Sequence, residues 1–240
     1  EMSFVEQEDV FDVIEKLMVN TFKNFSNKKL LHDKFPKIPY NEAMLKYGSD
    51  KPDLRNPLII QDITDAFNRD DVSFEIFKKL VKSRSKVRCI VTKSTKDKPR
   101  SFFDNIDKWA KGEGASGLAY FTIEQDKIIF AKGPIGKFFS QEALKEIMKI
   151  TNSEVGDSIF MACSKQDELE KITALARDKI GRELELIDEN TFAFCWIVDY
   201  PMFERDEISN KIKFSHNPFS MPQGNITEDN FKNPLDILAY

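Results

Sequence analysis

An α+β fold is predicted for this chain, with a self-contained two-layer sandwich inserted into a second, partly represented domain. Three observations predict it. Between Val87 and Cys163 the signals run strand, helix, strand, strand, helix, strand, the split βαβ pattern. The flanks carry one amphipathic helix, Gln7 to Phe25, and one near-continuous apolar run, Phe192 to Val198, which needs cover on both faces. The composition, 41% hydrophobic and 32% charged over 240 residues, is that of a soluble globular chain with ample material for a core.

Taken in order, Glu1 to Val5 alternates polar and apolar residues and predicts a short strand. From Gln7 to Phe25, Val10, Val13, Ile14, Leu17, Met18, Phe22 and Phe25 recur at helical spacing, with acidic residues leading and lysines trailing to suit the helix dipole. Phe35 to Tyr40 holds two prolines and predicts an edge strand or connector; Asn41 then caps a short helix that stops at Gly48. Lys46 to Arg55 is a shaped loop, because Gly48 can take positive φ and Pro52 drives Lys51 out of the α region. Its Asp50, Lys51, Asp53 and Arg55 read as a salt-bridge cluster that fixes the loop.

Leu58 to Ile60 is apolar and Asp62 to Asn68 a helical turn. Val87 to Thr92 predicts a strand, and Ser101 the cap of a helix carrying Phe102, Phe103, Ile106, Trp109 and Ala110. Leu118 to Ile123 and Lys127 to Ala131 form a hairpin, Ser140 caps a second helix, and Ser158 to Cys163 is a further strand. Ser164 with Asp167 forms a capping box for a third helix that stops at Gly181. The insert is accordingly placed at residues 68–186, needing no flanking strand, between segments 1–67 and 187–240.

No apolar run is long enough to span a bilayer, and the acidic start is unlike a signal peptide. Cys89, Cys163 and Cys195 sit singly in apolar runs, which predicts reduced thiols. With two histidines and no paired cysteines, a transition-metal site built by this chain is not expected. The net charge of -4 hides a local excess: Lys78 to Arg100 carries ten basic residues against Asp97 alone. Lys86 and Arg88 alternate with Val87 and Cys89 as on a half-exposed strand, whereas Lys93, Lys96, Lys98 and Arg100 fall in an unstructured loop free to reach an RNA backbone.

Tyr47-Gly48-Ser49-Asp50-Lys51-Pro52-Asp53-Leu54-Arg55 resembles the segment after motif 2 of bacterial-type aspartyl-tRNA synthetases, just before their inserted domain. Glu1-Met2-Ser3-Phe4 is similar to the second strand of class II motif 2, and Trp196 to Glu204 to the strand on which that chain returns to its catalytic sheet. Ser215-His216-Asn217-Pro218-Phe219 is similar to the substrate-side loop beyond. These segments keep the family's order and span nearly the whole chain.

The resemblance implies a partial class II antiparallel-sheet catalytic domain interrupted by a GAD-type insert, within an internal piece of a longer, homodimeric cytoplasmic enzyme. The implied reaction joins L-aspartate to ATP, with Mg2+ neutralising phosphate charge, and passes the aspartyl group to tRNA. Motif 1, the motif 2 arginine loop, motif 3 and the anticodon-binding barrel have no counterpart here, so the chain alone is expected to bind no cofactor and to form no aspartyl-adenylate. A non-catalytic tRNA- or protein-binding module is the alternative.

By its neighbours, His216 is an imidazole in a polar turn, either reachable by substrate or without a task. The resemblance places it beside the bound aspartate, as a donor to a carboxylate. Asn217 stands where the family has a second histidine, so that imidazole's role is not carried over. Glu1 and Ser3 match the floor of the active site, and no residue is assigned to catalysis itself.

Overall fold

Five strands, Ile60–Asp62 (β1), Lys86–Thr92 (β2), Ala119–Gln125 (β3), Ile129–Lys132 (β4) and Ser158–Ser164 (β5), make one wholly antiparallel sheet in the order β1-β2-β5-β3-β4. The helices Glu75–Lys82 (α1), Arg100–Gly112 (α2), Gln141–Thr151 (α3) and Gln166–Glu183 (α4) cover it. The computed structural model describes residues 1–206, 209–215, 220–224 and 227–240, with the backbone alone at Asn230 and Phe231. It divides the chain into two compact units, one of residues 44–52 and 56–187 and the other of residues 1–43, 53–55 and 188–240.

The sheet belongs to the first of these units, and it is buried on both faces. Val87, Cys89 and Val91 of β2 point into one core, with Phe121, Ile159 and Met161, against Phe77 of α1 and Ala143, Leu144 and Ile147 of α3. Ile90, Tyr120, Phe160 and Ala162 point into the other, against Phe103, Ile106 and Ala110 of α2 and Leu169, Ile172, Ala176 and Ile180 of α4. The two-layer expectation is therefore corrected to three layers. The helices of the two halves of the split βαβ pattern lie on opposite faces, which is why β2 and β5 are apolar at successive positions and not at alternate ones.

The expected start at residue 68 is also corrected. β1 pairs with β2, and the 3-10 turn Thr64–Asn68 sends Ala66 and Phe67 into the first core, so residues 56–67 are part of the sheet's own unit. Helix α1 was not anticipated from the sequence, and α2 begins at Arg100 with Pro99, not Ser101, in the cap position. Ser140 caps α3 as expected, its Oγ accepting the Ala143 N–H at 2.9 Å. In α4, Ser164 donates to Glu168 and makes no capping box, and the helix passes Gly181 to end at Glu183.

The connection into this unit is held by two buried arginines. Arg177 donates from Nε to the Leu58 carbonyl and from Nη2 to the Asn56 carbonyl, both at 2.6 Å, and its guanidinium lies 5.0 Å from the Tyr47 ring centre. Arg88 reaches the Met44 carbonyl at 3.3 Å and Glu170 at 3.1 Å. Gly48, at φ +66°, passes so close to α4 that a Cβ would lie 2.6 Å from the Glu170 carbonyl oxygen.

In the other unit, the helix Gln7–Phe25 has the predicted bounds and starts with a reciprocal capping box between Glu6 and Asp9. Phe11 stacks on Trp196 at 4.2 Å, Trp196 Nε1 donates to Glu15 at 2.7 Å, and Phe22 meets Phe192 and Phe194. The predicted single strand over Phe192 to Val198 is two short ones. Thr191–Phe192 pairs in parallel with Lys29–Leu30, and Trp196–Val198 in parallel with Lys37–Pro39, each half-buried or less over most of its length. Tyr40 lies inside the helix Tyr40–Tyr47, so Asn41 is not its cap. Two antiparallel pairs follow, Tyr200–Pro201 with Leu238–Ala239 and Phe203–Arg205 with Ile212–Phe214. The cysteines are free thiols, Cys89 and Cys163 buried and Cys195 half-buried. No helix among the described residues is long and apolar enough to cross a membrane.

Candidate nucleic-acid interface

Between β2 and α2 the chain runs through Lys93 to Pro99, and this segment is anchored, not unstructured. The hydroxyls of Thr92, Thr95 and Ser158 form a buried chain at 2.7 and 2.8 Å. The Lys96 N–H donates to the Gly156 carbonyl at 3.0 Å, and the Lys98 N–H to the Thr95 carbonyl at 3.1 Å.

The four cations expected to face RNA separate into two kinds. Lys93 turns back onto the fold, donating to the Asn152 carbonyl at 2.8 Å and to Asp157 at 2.9 Å. Asp157 is buried, and it also accepts the backbone N–H groups of Ser94 and Glu154. Burial pushes its pKa up, but the Lys93 ammonium and the two N–H donors outweigh burial and hold it below the ordinary value of 3.8. Lys93 is thus engaged in contacts within the fold, with Asn152 and Asp157.

Lys96, Lys98 and Arg100 instead line a recess of about 470 Å³ on the same unit. Its other walls come from α2 and the β3–β4 hairpin: Phe103, Tyr120, Thr122, Glu124, Lys132 and Pro134 among them. Phe103 and Tyr120 stack at 4.8 Å with 16° between planes. The Tyr120 hydroxyl donates to Asp104 at 2.8 Å, and burial with that bond pushes its pKa up to about 12. Arg100 Nε donates to the other Asp104 oxygen at 3.2 Å, while Lys132 pairs with Glu124 at 2.9 Å. Lys96 Nζ has no ion pair or hydrogen bond among the described residues. Lys132 and Glu124 went unread in the sequence, where Gly133-Pro134 signals only a turn; the nearest available signal was the lysine ending a hairpin strand opposite a basic run.

Of the rest of the basic run, Lys79, Lys82, Arg84 and Lys86 are exposed, whereas Arg88 and Lys78 turn inward. Arg88, expected on a half-exposed strand, is buried against Glu170, with its Nε lacking a partner among the described residues. Lys78 donates to the Arg69 and Val72 carbonyls. Among the loop charges, Lys51 pairs with Asp50 at 2.8 Å, and Arg55 makes a fork onto Asp53 at 2.9 and 2.7 Å. Glu189 joins Arg55 at 3.3 Å, and the bond to Asp53 leads the causes that raise the guanidinium pKa.

Glu1 and Ser3 are exposed and lie in irregular backbone, so the predicted strand over Glu1 to Val5 is corrected; among the described residues no strand pairs with it. His216 and Asn217 fall outside the described residues. Beside them, the Ser215 N–H donates to the Met202 carbonyl at 3.0 Å. Among the described residues no three His, Cys, Asp or Glu side chains converge to hold a metal.

The family model for class II tRNA synthetases (D, K and N) matches residues 1–239. The chain is 75% identical over 240 residues to an aspartate–tRNA(Asp/Asn) ligase of Pelagibacter ubique (strain HTCC1062), covering all of this chain and 40% of the relative. Ligases of the same name from Ehrlichia chaffeensis and Beijerinckia indica are 51% and 48% identical, again across the whole chain and 40% of their own lengths. The chain thus spans about 40% of the length of these curated relatives.

Proposed function

Because the chain belongs to the class II tRNA synthetases of the D, K and N group, we propose that the full-length protein carrying it is an aspartate–tRNA ligase. It joins L-aspartate to ATP and passes the aspartyl group to tRNA, in the cytoplasm, as a homodimer. The observation that carries this reading is identity sustained from end to end with relatives all named for that reaction. Their common name covers the aspartate and asparagine tRNAs, and the same breadth is proposed here. Mg2+ and ATP belong to the full-length enzyme, where the ion neutralises phosphate charge; neither is assigned to a residue of this chain.

Within this chain, His216 is the proposed donor to the aspartate side-chain carboxylate, and Glu1 and Ser3 belong to the floor of the same site. The unit of residues 44–52 and 56–187 is the GAD-type insert, and its Lys96, Lys98 and Arg100 face the tRNA backbone. Cations carried on a backbone segment anchored beside a recess support that orientation, since phosphate neutralisation is the main sequence-independent source of RNA affinity.

The decisive measurement is aspartate-dependent ATP–pyrophosphate exchange and tRNA charging by the full-length protein. In that background, His216→Ala is expected to raise KM for aspartate about tenfold or more, the scale of a lost charge-assisted hydrogen bond. Charge reversal at Lys96, Lys98 and Arg100 is expected to weaken tRNA binding in a salt-dependent way without changing exchange. Unchanged tRNA binding would make the insert a spacer.

A further inference from the structure

Resting on the RNA-facing reading just given, we infer that the recess between Lys96–Arg100 and the β3–β4 hairpin takes one unpaired nucleotide. Its phosphate sits at Lys96, Lys98 and Arg100, and its sugar and base lie against Tyr120, Glu124 and Pro134.

The size selects a single nucleotide unit. About 470 Å³ falls within the range of small-ligand sites, whereas a duplex presents its backbone to a broad open face and cannot enter a recess. The charge selects an anion. Lys96, Lys98, Arg100 and Lys132 stand against Glu124 alone among the lining residues. Lys96 is unpaired among the described residues, and the Arg100–Asp104 pair is solvent-exposed, so phosphate can take over the guanidinium at little cost.

The far wall selects an unpaired base. Glu124 pairs with Lys132 through Oε1, and its Oε2 has no partner among the described residues, leaving an acceptor for a base N–H that pairing would otherwise occupy. The walls are already in place: Phe103 and Tyr120 are stacked and buried in the sheet's second core, so little ordering is left for the ligand to impose.

The test uses the 240-residue chain and fluorescence anisotropy with a labelled short single-stranded RNA, a labelled RNA duplex of equal charge, and cytidine monophosphate as competitor. The single strand is expected to bind at least about tenfold more tightly than the duplex, the scale of one nucleotide's contacts. Pro134 is exposed, so Pro134→Trp fills the recess while keeping every charge. With an unchanged melting midpoint it is expected to lower single-strand affinity about tenfold and leave duplex binding alone. Displacement by the monophosphate, or its binding without RNA, supports the recess and tells a free nucleotide from an RNA residue. Equal binding of duplex and single strand, or an indifferent Pro134→Trp, overturns the recess and leaves the RNA-facing reading standing. Binding of neither RNA nor nucleotide overturns both.

Discussion

Asp157 and Lys93 look alike in the sequence to any surface carboxylate and lysine, and the fold separates them. The carboxyl is buried with three donors aimed at it, so folding favours its ionised form and its pKa lies below the ordinary 3.8. A depressed pKa contributes stability that is complete above the unfolded value and is lost as pH falls through the folded one. The gap in urea midpoint between the parent and Asp157→Asn is therefore expected to be widest near neutrality and to close below about pH 4. A gap that does not vary with pH would remove the ionised pair from the account. Arg177 makes a second residue-scale case. Its removal leaves the Asn56 and Leu58 carbonyls without their donor inside the fold, and Arg177→Ala is expected to cost roughly 2–4 kcal/mol in denaturant unfolding. The role of Arg177 is not legible in the sequence, because its partners are carbonyls more than a hundred residues away, at 119 and 121 positions.

Helix ends and crossings decide what the sequence could and could not tell at the next scale. Ser140 was readable as a cap because the capping bond is local, and Ser140→Ala is expected to cost about 1 kcal/mol, measured as a lowered melting midpoint. Gly181 was misread as a stop because its reason is tertiary. The Asn56 side chain fills the space where a Cβ would stand, its Cγ only 2.8 Å from that position. Asn56 cannot withdraw without giving up its bonds to the Arg177 carbonyl and the Leu58 N–H. Gly181→Ala, which gains helix propensity in isolation, is therefore expected to destabilise by about 1–3 kcal/mol, the range for overpacking a well-filled site. Strands show the same division. The apolar residues of Val87–Thr92 announced a strand, but Arg88 in their midst suggested an exposed face, and only the carboxylate of Glu170 on α4 explains why it can be buried.

At the scale of the whole chain, a compact middle unit was readable and its limits were not. A boundary is set by which strand a segment pairs with, and Ile60–Asp62 is too short to advertise its pairing with β2. The candidate interface was half legible for a related reason. Lys96, Lys98 and Arg100 are close in sequence, whereas Lys132 and Glu124 reach the recess only through the antiparallel pairing of β3 with β4. With residues 56–67 restored to it, the sheet has a core on each face, and the buried residues of both cores lie within residues 44–187. Such a unit meets the requirements of an independent domain. A polypeptide of residues 44–187 is therefore expected to unfold in one cooperative transition, with coincident loss of far-ultraviolet circular dichroism and aromatic signal. Retained secondary structure with lost aromatic signal and strong binding of a hydrophobic dye would show instead that the two cores do not close without the flanks.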